Sequence, residues 1–178
     1  NFTHGGGGVN LFCKQHGFEL TLVDMGVDHD LSAHPTILNR KIANGTRNFL
    51  HEPAMTQQQM QQALNTGSEL AEAKGCNVLC LGEMGIGNTS PSSVWMSLWG
   101  NLPLSSCVGS GSGLNTEGEK HKLAVLEQAV SHFKRQPLPH NDPATIIQYF
   151  GGFEMVAAIG AMLRAAELRM IVLVDGFI

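Results

Sequence analysis

The sequence predicts an α/β fold with three layers, in which a parallel sheet is flanked by helices. Short apolar or β-branched runs alternate along the chain with longer segments of helical periodicity, as in βαβ units. Two glycine-rich turns lie between such runs and the helical segments that follow them, which is the usual place for loops at the carboxyl ends of parallel strands. We expect residues 1–178 to form a single core.

The first half of the chain is predicted to contain two helices and a strand. Residues Val9 to His16 have the pattern of the end of a helix, and Glu19 to Asp24 that of a strand. A loop of about thirty residues follows, and loops of such length are usually functional. Thr56 and Gln59 then form a capping box, which predicts a helix that ends near Gly75.

The second half continues the alternation of strands and helices. Asn77 to Leu81 is predicted to be a short buried strand, and Ser90-Pro91 to begin a helix. Leu104 to Val108 is predicted to be a strand that leads into a helix from Thr116 to Phe133. The remaining predicted elements are a short helix capped by Asp142-Pro143, a helix from Gly151-Gly152 through Glu167 and a last strand from Met170 to Val174.

The composition excludes several classes of protein. An apolar fraction of 43% in 178 residues is enough for one core without disulfides or metal ions. The net charge of -4 and the 11 scattered basic residues give no positive stripe for DNA or RNA, so no nucleic-acid partner is expected. Since no apolar run approaches the roughly 18 residues of a membrane span, no membrane partner is expected either.

Cysteine and histidine usage favours a reducing cytoplasm and no metal. The four cysteines show no CxxC spacing, and Cys76 and Cys80 flank the predicted buried strand, where a thiol acts as a small hydrophobe. Asp28-His29-Asp30 is the one local cluster that contains histidine. A single imidazole between two carboxylates is typical of a solvated turn, so we predict no metal.

The chemistry is predicted to lie in the two glycine-rich turns, Gly82 to Thr89 and Gly109 to Gly113. Glycines let the backbone approach a ligand, and free N–H groups at a helix start favour an anion such as phosphate. The spacing of Gly82, Gly85 and Gly87 is GxxGxG, which differs from the dinucleotide GxGxxG, and the turn lacks a Walker lysine. A dehydrogenase or an ATPase is therefore disfavoured. The alternative interpretation of each turn is ordinary turn geometry.

Residues 81–91, with the sequence LGEMGIGNTSP, closely resemble the signature of nicotinate-nucleotide:dimethylbenzimidazole phosphoribosyltransferases. The similarity extends over almost the whole chain in the order of the family. The other matching stretches are Asn1-Phe2 with Gly5 to Gly8, Val23 to Gly26, Gly45 to Asn48, Pro53 to Thr56, Val108-Gly109, Gly113-Leu114, Gly151 to Glu154 and Asp175 to Phe177.

The resemblance implies a Rossmann-like, nucleotide-binding core and a transferase activity in cobalamin synthesis. The family moves the 5-phosphoribosyl group from nicotinate mononucleotide to 5,6-dimethylbenzimidazole, with inversion at the anomeric carbon. The products are α-ribazole 5'-phosphate and nicotinate. The resemblance further implies that no metal or organic cofactor takes part and that the protein is a homodimer.

The resemblance also implies roles for individual residues. Glu83 would face the sugar, and Lys122 would lie near the ribosyl phosphate, with the nearby Lys120 as a rival. Asp175, at the end of a predicted strand, would either meet ligand or order a loop. The residues implied to hold the phosphate and ribose are Gly85, Ile86, Gly87, Asn88, Gly109 and Gly111.

We expect the chain to be an internal fragment of the family's fold, truncated at both ends. The family's general-base glutamate belongs to a segment after Ile178, and part of its benzimidazole pocket to a segment before Asn1. Two hypotheses follow. The first is an active transferase whose remaining segments belong to a longer polypeptide. The second is a module that binds nicotinate mononucleotide and is catalytically incomplete.

Overall fold

The computed structural model describes residues 2–73 and 75–178 and confirms the α/β class. Within these residues, six α-helices accompany two pairs of parallel strands. The helices are α1 (Gly8–His16), α2 (Gln57–Ala73), α3 (Thr89–Gly100), α4 (Thr116–Arg135), α5 (Pro143–Phe150) and α6 (Phe153–Glu167). The strands are β1 (Leu22–Asp24), β2 (Ile37–Asn39), β3 (Val78–Cys80) and β4 (Ile171–Leu173), and short 3-10 helices cover Phe2–His4 and Leu104–Ser106.

The chain divides into two compact units between Gly45 and Thr46. In the first unit, β1 and β2 pair in parallel, with Leu22 opposite Ile37. Strand β2 lies inside the segment that the sequence predicts to be a long loop, so the prediction is wrong at this point. Three residues are too few to show the alternation that reveals a strand.

Asp24, at the end of β1, is buried and its carboxylate is paired. Its Oδ1 accepts hydrogen bonds from the N–H groups of Gly26 at 3.0 Å and Val27 at 2.9 Å. Nζ of Lys41 lies 3.4 Å from Oδ2 and also donates to the carbonyl oxygens of Val27 and His29. Buried charges are stable when they are paired in this way, so this pair holds the loop after β1 in place.

In the second unit, α2 and α6 form the main helix pair, and glycine is required where they meet. A Cβ on Gly67 would overlap the carbonyl oxygen of Ala157, and a Cβ on Gly160 would overlap that of Leu64. The absence of side chains at these two positions lets the helix backbones touch.

The capping signals in the sequence predict two helix starts correctly. Thr56 and Gln59 form the expected reciprocal pair ahead of α2, with distances of 3.1 and 2.9 Å. Asp142 caps α5 by accepting from the N–H of Thr145 at 2.8 Å. Helix α5 then packs on α4, where the ring centroids of Phe133 and Tyr149 lie 4.8 Å apart. Both rings are buried in the core of the second unit.

Strands β3 and β4 pair in parallel, with Val78 opposite Ile171 and Cys80 opposite Leu173. Both strands are predicted correctly, but the predicted burial of the first is wrong, because Val78 is 44% exposed and Cys76 and Cys80 are also exposed. Parallel strands are buried when both faces of the sheet are covered. Among the described residues, nothing covers the side of β3 that carries Val78 and Cys80.

The segment Leu104–Ser106 is a 3-10 helix, so the strand predicted there is wrong. The N–H groups of Cys107 and Val108 donate to the carbonyl oxygen of Leu104, at 2.9 and 3.1 Å, and are therefore used within the turn. The three-residue spacing of Leu104 and Cys107 suits a 3-10 turn, in which Cys107 is buried. Within the part of the chain that the structure describes, no helix is both long enough and apolar enough to cross a membrane.

Candidate functional site

The register of β3 and β4 determines where the site lies. Because Cys80 pairs with Leu173 and the strands are parallel, the segments that follow them leave the same edge of the sheet. These segments contain the glycine-rich bend from Gly82 to Asn88 and, after β4, Asp175. Ligands of parallel α/β sheets bind at this edge.

Glu83 is held by the bend in which it lies. Its Oε2 accepts a hydrogen bond from the backbone N–H of Gly85 and another, at 2.6 Å, from Nδ2 of Asn88. The Glu83 side chain is otherwise exposed, and no hydrogen bond to Oε1 occurs among residues 2–73 and 75–178. One carboxylate oxygen is therefore fixed and the other is accessible.

Asn88 occupies the N-cap position of α3 without capping the helix. An asparagine there usually accepts from an N–H group of the first turn, but here its amide donates to Glu83. Asn88 is 5% exposed, and its Oδ1 has no hydrogen-bond partner among the described residues. The first turn of α3 therefore keeps its N–H groups, and the positive end of its dipole, free of a side-chain cap.

Three successive backbone amides of the bend have no partner in the described part of the chain. Gly85 and Gly87 have φ values of 66° and 83°, a left-handed conformation that favours glycine. In the described part of the chain, the N–H groups of Ile86, Gly87 and Asn88 donate no hydrogen bond. Ile86 is itself 74% exposed. Successive free amides next to a helix N-terminus form a concavity suited to an anion.

The second glycine-rich turn, from Gly109 to Gly113, is tied to the start of α3. Oγ of the buried Ser93 lies 2.8 Å from the carbonyl oxygen of Thr89 and 2.9 Å from that of Cys107, just before the turn. Gly111 has a φ of 58°, and a Cβ there would lie 3.0 Å from Oγ1 of Thr89. Glycine at this position lets the second turn approach the first.

Lys122 of α4 joins the two turns. Its Nζ donates to Oγ1 of Thr89 at 2.8 Å and to the carbonyl oxygen of Gly109 at 3.2 Å. Partial burial lowers the pKa of Lys122, and the negative charge of Glu119 opposes this shift. Lys120, the rival lysine, is exposed. The structure thus brings Lys122 beside the glycine turns.

The structure brings together most of the residues that the sequence predicts for the site. Glu83 to Asn88 form one continuous bend, and Lys122 bridges from Thr89 to Gly109. Asp175 leaves the same sheet edge and is exposed. It contacts none of the other predicted site residues by a hydrogen bond or ion pair within the described chain.

Thr89 ends the first glycine-rich turn that the sequence predicts, but the sequence assigns no role to its side chain. The one indication in the sequence was its position as the first residue of a helix, directly after Asn88. Its partner Lys122 is 33 residues away, so the sequence does not show the contact. In the described residues, no group of three or more His, Cys, Asp or Glu side chains is arranged to hold a metal ion. A surface depression of about 450 Å³ next to His51 and His132 lies away from both glycine turns.

A family model described as "Phosphoribosyltransferase" matches residues 1–178. The chain belongs to this phosphoribosyltransferase family. The resemblance recognised in the signature LGEMGIGNTSP is thereby confirmed, since the similar curated relatives carry the name nicotinate-nucleotide–dimethylbenzimidazole phosphoribosyltransferase.

Relatives of this phosphoribosyltransferase family match the chain from end to end. The protein of that name from Bacteroides fragilis is 55% identical over 181 residues, which cover 100% of this chain and 51% of the relative. The protein from Parabacteroides distasonis is 50% identical over 182 residues, with the same coverage. The chain therefore spans about half the length of the curated relatives that it matches.

A solved structure also matches the fold. The crystal structure of CobT from Thermus thermophilus has a TM-score of 0.89 and 33% sequence identity to this chain. The match covers 99% of this chain and 53% of that one. Strand pairs and helices of this phosphoribosyltransferase chain thus follow the arrangement found in about half of CobT.

Proposed function

We propose that this chain supplies the nucleotide-binding core of a transferase that moves the 5-phosphoribosyl group from nicotinate mononucleotide to 5,6-dimethylbenzimidazole. The observation that carries the proposal is the bend after β3, which has unpaired backbone amides and ends at two adjacent residues, Asn88 bonded to the carboxylate of Glu83 and Thr89 bonded to the ammonium group of Lys122. The proposal is supported by relatives with that activity in their names.

The reaction exchanges one bond at the anomeric carbon for another. The bond between C1' of the ribose and the ring nitrogen of nicotinate breaks, and its electron pair leaves with nicotinate. A ring nitrogen of dimethylbenzimidazole attacks C1' from the opposite face, which inverts the configuration, and the N–H proton of the benzimidazole passes to a base. The products are α-ribazole 5'-phosphate and nicotinate.

The two charged groups of the site suit the two charges of the substrate. Positive charge develops on the ribose as nicotinate leaves, and the exposed Oε1 of Glu83 can stabilise it. The phosphate carries negative charge, which the ammonium group of Lys122 and the free amides of Ile86, Gly87 and Asn88 can bind. A rigid cradle at the phosphate keeps C1' in place for attack.

The second turn and the loop after β4 complete the proposed pocket. Gly109 and Gly111 would line the side of the phosphate that faces Lys122, and Asp175 would contact the sugar or order its own loop. We place the general base on a glutamate outside residues 1–178. The proposed enzyme works without metal or organic cofactor, in the cytoplasm, as a homodimer.

The alternative is a module that binds nicotinate mononucleotide without turning it over. Calorimetry on the 178-residue chain measures binding directly. We expect saturable heat at millimolar nicotinate mononucleotide, whereas no heat at that concentration would exclude the alternative and count against the nucleotide site.

A turnover assay separates the two functions. The whole protein, supplied with nicotinate mononucleotide and dimethylbenzimidazole, should release nicotinate and form α-ribazole 5'-phosphate in equal amounts. Binding without either product would support the alternative. Turnover that is unaffected by Glu83→Ala would remove the main residue assignment.

A further inference from the structure

Two adjacent residues at the start of α3 hold the two opposite charges of the site. Asn88 donates from Nδ2 to the carboxylate of Glu83 at 2.6 Å. Thr89 accepts at Oγ1 from the ammonium group of Lys122 at 2.8 Å. Asn88 is among the predicted site residues, but neither the sequence nor the comparisons assign a role to Thr89.

We propose that Thr89 is a positioning residue, whose hydroxyl group fixes the ammonium group of Lys122 at the point where the substrate phosphate binds. The inference rests on the proposed function of the site. It concerns how Lys122 is held, which the family membership of the chain does not specify.

A lysine needs such support to act as a phosphate ligand. Its side chain has four rotatable bonds, and fixing them costs up to about 2 kcal/mol of rotamer entropy. Thr89 and the carbonyl oxygen of Gly109 fix Nζ of Lys122 before any ligand binds. Binding of an anion then loses less entropy than it would with a free lysine.

The hydroxyl group of Thr89 retains bonding capacity after it has accepted from Lys122. A threonine hydroxyl has one proton to donate and two lone pairs to accept with. Its contact with Lys122 uses a lone pair, so the proton is free to be donated to a phosphate oxygen. The branched Cβ of Thr89 also restricts its χ1 angle, which keeps the hydroxyl group in place.

The surrounding backbone leaves room for this contact. A Cβ on Gly111 would lie 3.0 Å from Oγ1 of Thr89 and 3.6 Å from Nζ of Lys122. The backbone of Thr89 is itself fixed, because its carbonyl oxygen lies 2.8 Å from Oγ of the buried Ser93. A glycine on one side and a buried anchor on the other thus define the position of the hydroxyl group.

The test compares Thr89→Val, which keeps the shape of the side chain, with Thr89→Ser, which keeps its hydroxyl group. Thr116→Val is a matched control, because Thr116 is also the first residue of a helix, follows an asparagine and is exposed. Calorimetry on the 178-residue chain would measure the Kd of inorganic phosphate and of nicotinate mononucleotide.

We expect Thr89→Val to raise the Kd of both ligands about tenfold, because the variant loses a hydrogen bond to a charged group. The Kd values of Thr89→Ser and Thr116→Val should stay near those of the unmodified chain. Nitrogen NMR of Nζ gives a readout that does not depend on helix stability. The Nζ chemical shift of Lys122 should change in Thr89→Val and stay the same in Thr116→Val, because only Thr89→Val removes the acceptor of the ammonium group.

Two results would overturn the inference, and they are distinguishable. If the unmodified chain binds both ligands and Thr89→Val binds them equally well, Thr89 has no positioning role while the proposed function stands. If the unmodified chain binds neither ligand, the proposed function fails and the inference fails with it.

Discussion

Nδ2 of Asn88 lies 2.6 Å from Oε2 of Glu83, so the residue that would ordinarily cap α3 instead orients a carboxylate. The helix start is left without a side-chain cap, and the carboxylate is left with one accessible oxygen. The side-chain amide of Asn88 thus has two effects. It leaves the helix N-terminus free to bind an anion, and it orients the carboxylate proposed to stabilise the sugar.

Glu83→Gln tests the charge of that carboxylate. Glutamine keeps the length of the side chain but cannot stabilise positive charge on the ribose, so kcat of the whole protein should fall about 100-fold. The KM for nicotinate mononucleotide should change less, because the phosphate contacts remain. Steady-state kinetics measures both, with Glu127→Gln on the exposed face of α4 as the control. A Glu83→Gln protein with normal kcat would contradict the assignment.

Gly111→Ala tests the close approach of the two turns. The residue has a φ of 58°, and the new Cβ would lie 3.0 Å from Oγ1 of Thr89, so the second turn must shift. We expect the Kd of nicotinate mononucleotide, measured by calorimetry, to rise about tenfold. Gly17→Ala is the matched control, since Gly17 also has a positive φ, lies outside both glycine turns and a Cβ there meets nothing within 4 Å. Equal affinities in the two variants would argue against a role for Gly111.

Gly67→Ala tests the packing of α2 on α6. The added methyl group would overlap the carbonyl oxygen of Ala157, and neither helix backbone can yield without losing contacts elsewhere. We expect the free energy of unfolding to fall by about 2 kcal/mol or more. Denaturant titration measures it, and Gly8→Ala, where a Cβ meets nothing within 4 Å, should be nearly neutral. A stable Gly67→Ala chain would show that this helix crossing is looser than described.

The lowered pKa of Lys122 predicts how phosphate binding depends on pH. The ammonium form exists below the folded-state pKa, which burial places below the ordinary lysine value. The affinity due to Lys122 is therefore present at neutral pH and is lost as the pH rises through that lowered pKa. The phosphate monoester of nicotinate mononucleotide has a second pKa of about 6, so it is already a dianion at alkaline pH and adds no change there.

Lys122→Met should remove this pH dependence, and the Lys120→Met control should keep it, because Lys120 is exposed and outside the turns. Calorimetric titrations of nicotinate mononucleotide between neutral and alkaline pH measure the effect. The stability of the unliganded chain has the opposite trend: the folded state disfavours the charged form, so Lys122 contributes an increase in stability as the pH rises. An unchanged pH profile in Lys122→Met would contradict the phosphate assignment.

Local signals in the sequence predicted the helices well. The caps at Thr56 and Asp142 need contacts within three residues, which the sequence displays directly. The strands were harder, since each described strand has three residues. The predicted strand from Leu104 to Val108 became a 3-10 turn because a short apolar run does not distinguish the two.

The site was partly predictable, because some of its features are also local in the sequence. The glycines of the first bend show in the sequence as backbone positions that need a positive φ, at Gly85 and Gly87. The contact between Lys122 and Thr89 joins residues that are 33 positions apart, and it depends on how α4 packs beside α3. Periodicity and capping contain no information about such a distance.

The central claim is that the free amides of the bend after β3 bind the phosphate of nicotinate mononucleotide. Amide chemical shifts of the nitrogen-labelled chain, titrated with nicotinate mononucleotide, test it most directly. We predict saturable shifts at the free amides of Ile86, Gly87 and Asn88, at the adjacent Gly85, whose amide is bonded to Glu83, and at Gly111 in the second turn. Saturable shifts confined to other parts of the chain, with these five amides unmoved, would contradict the account.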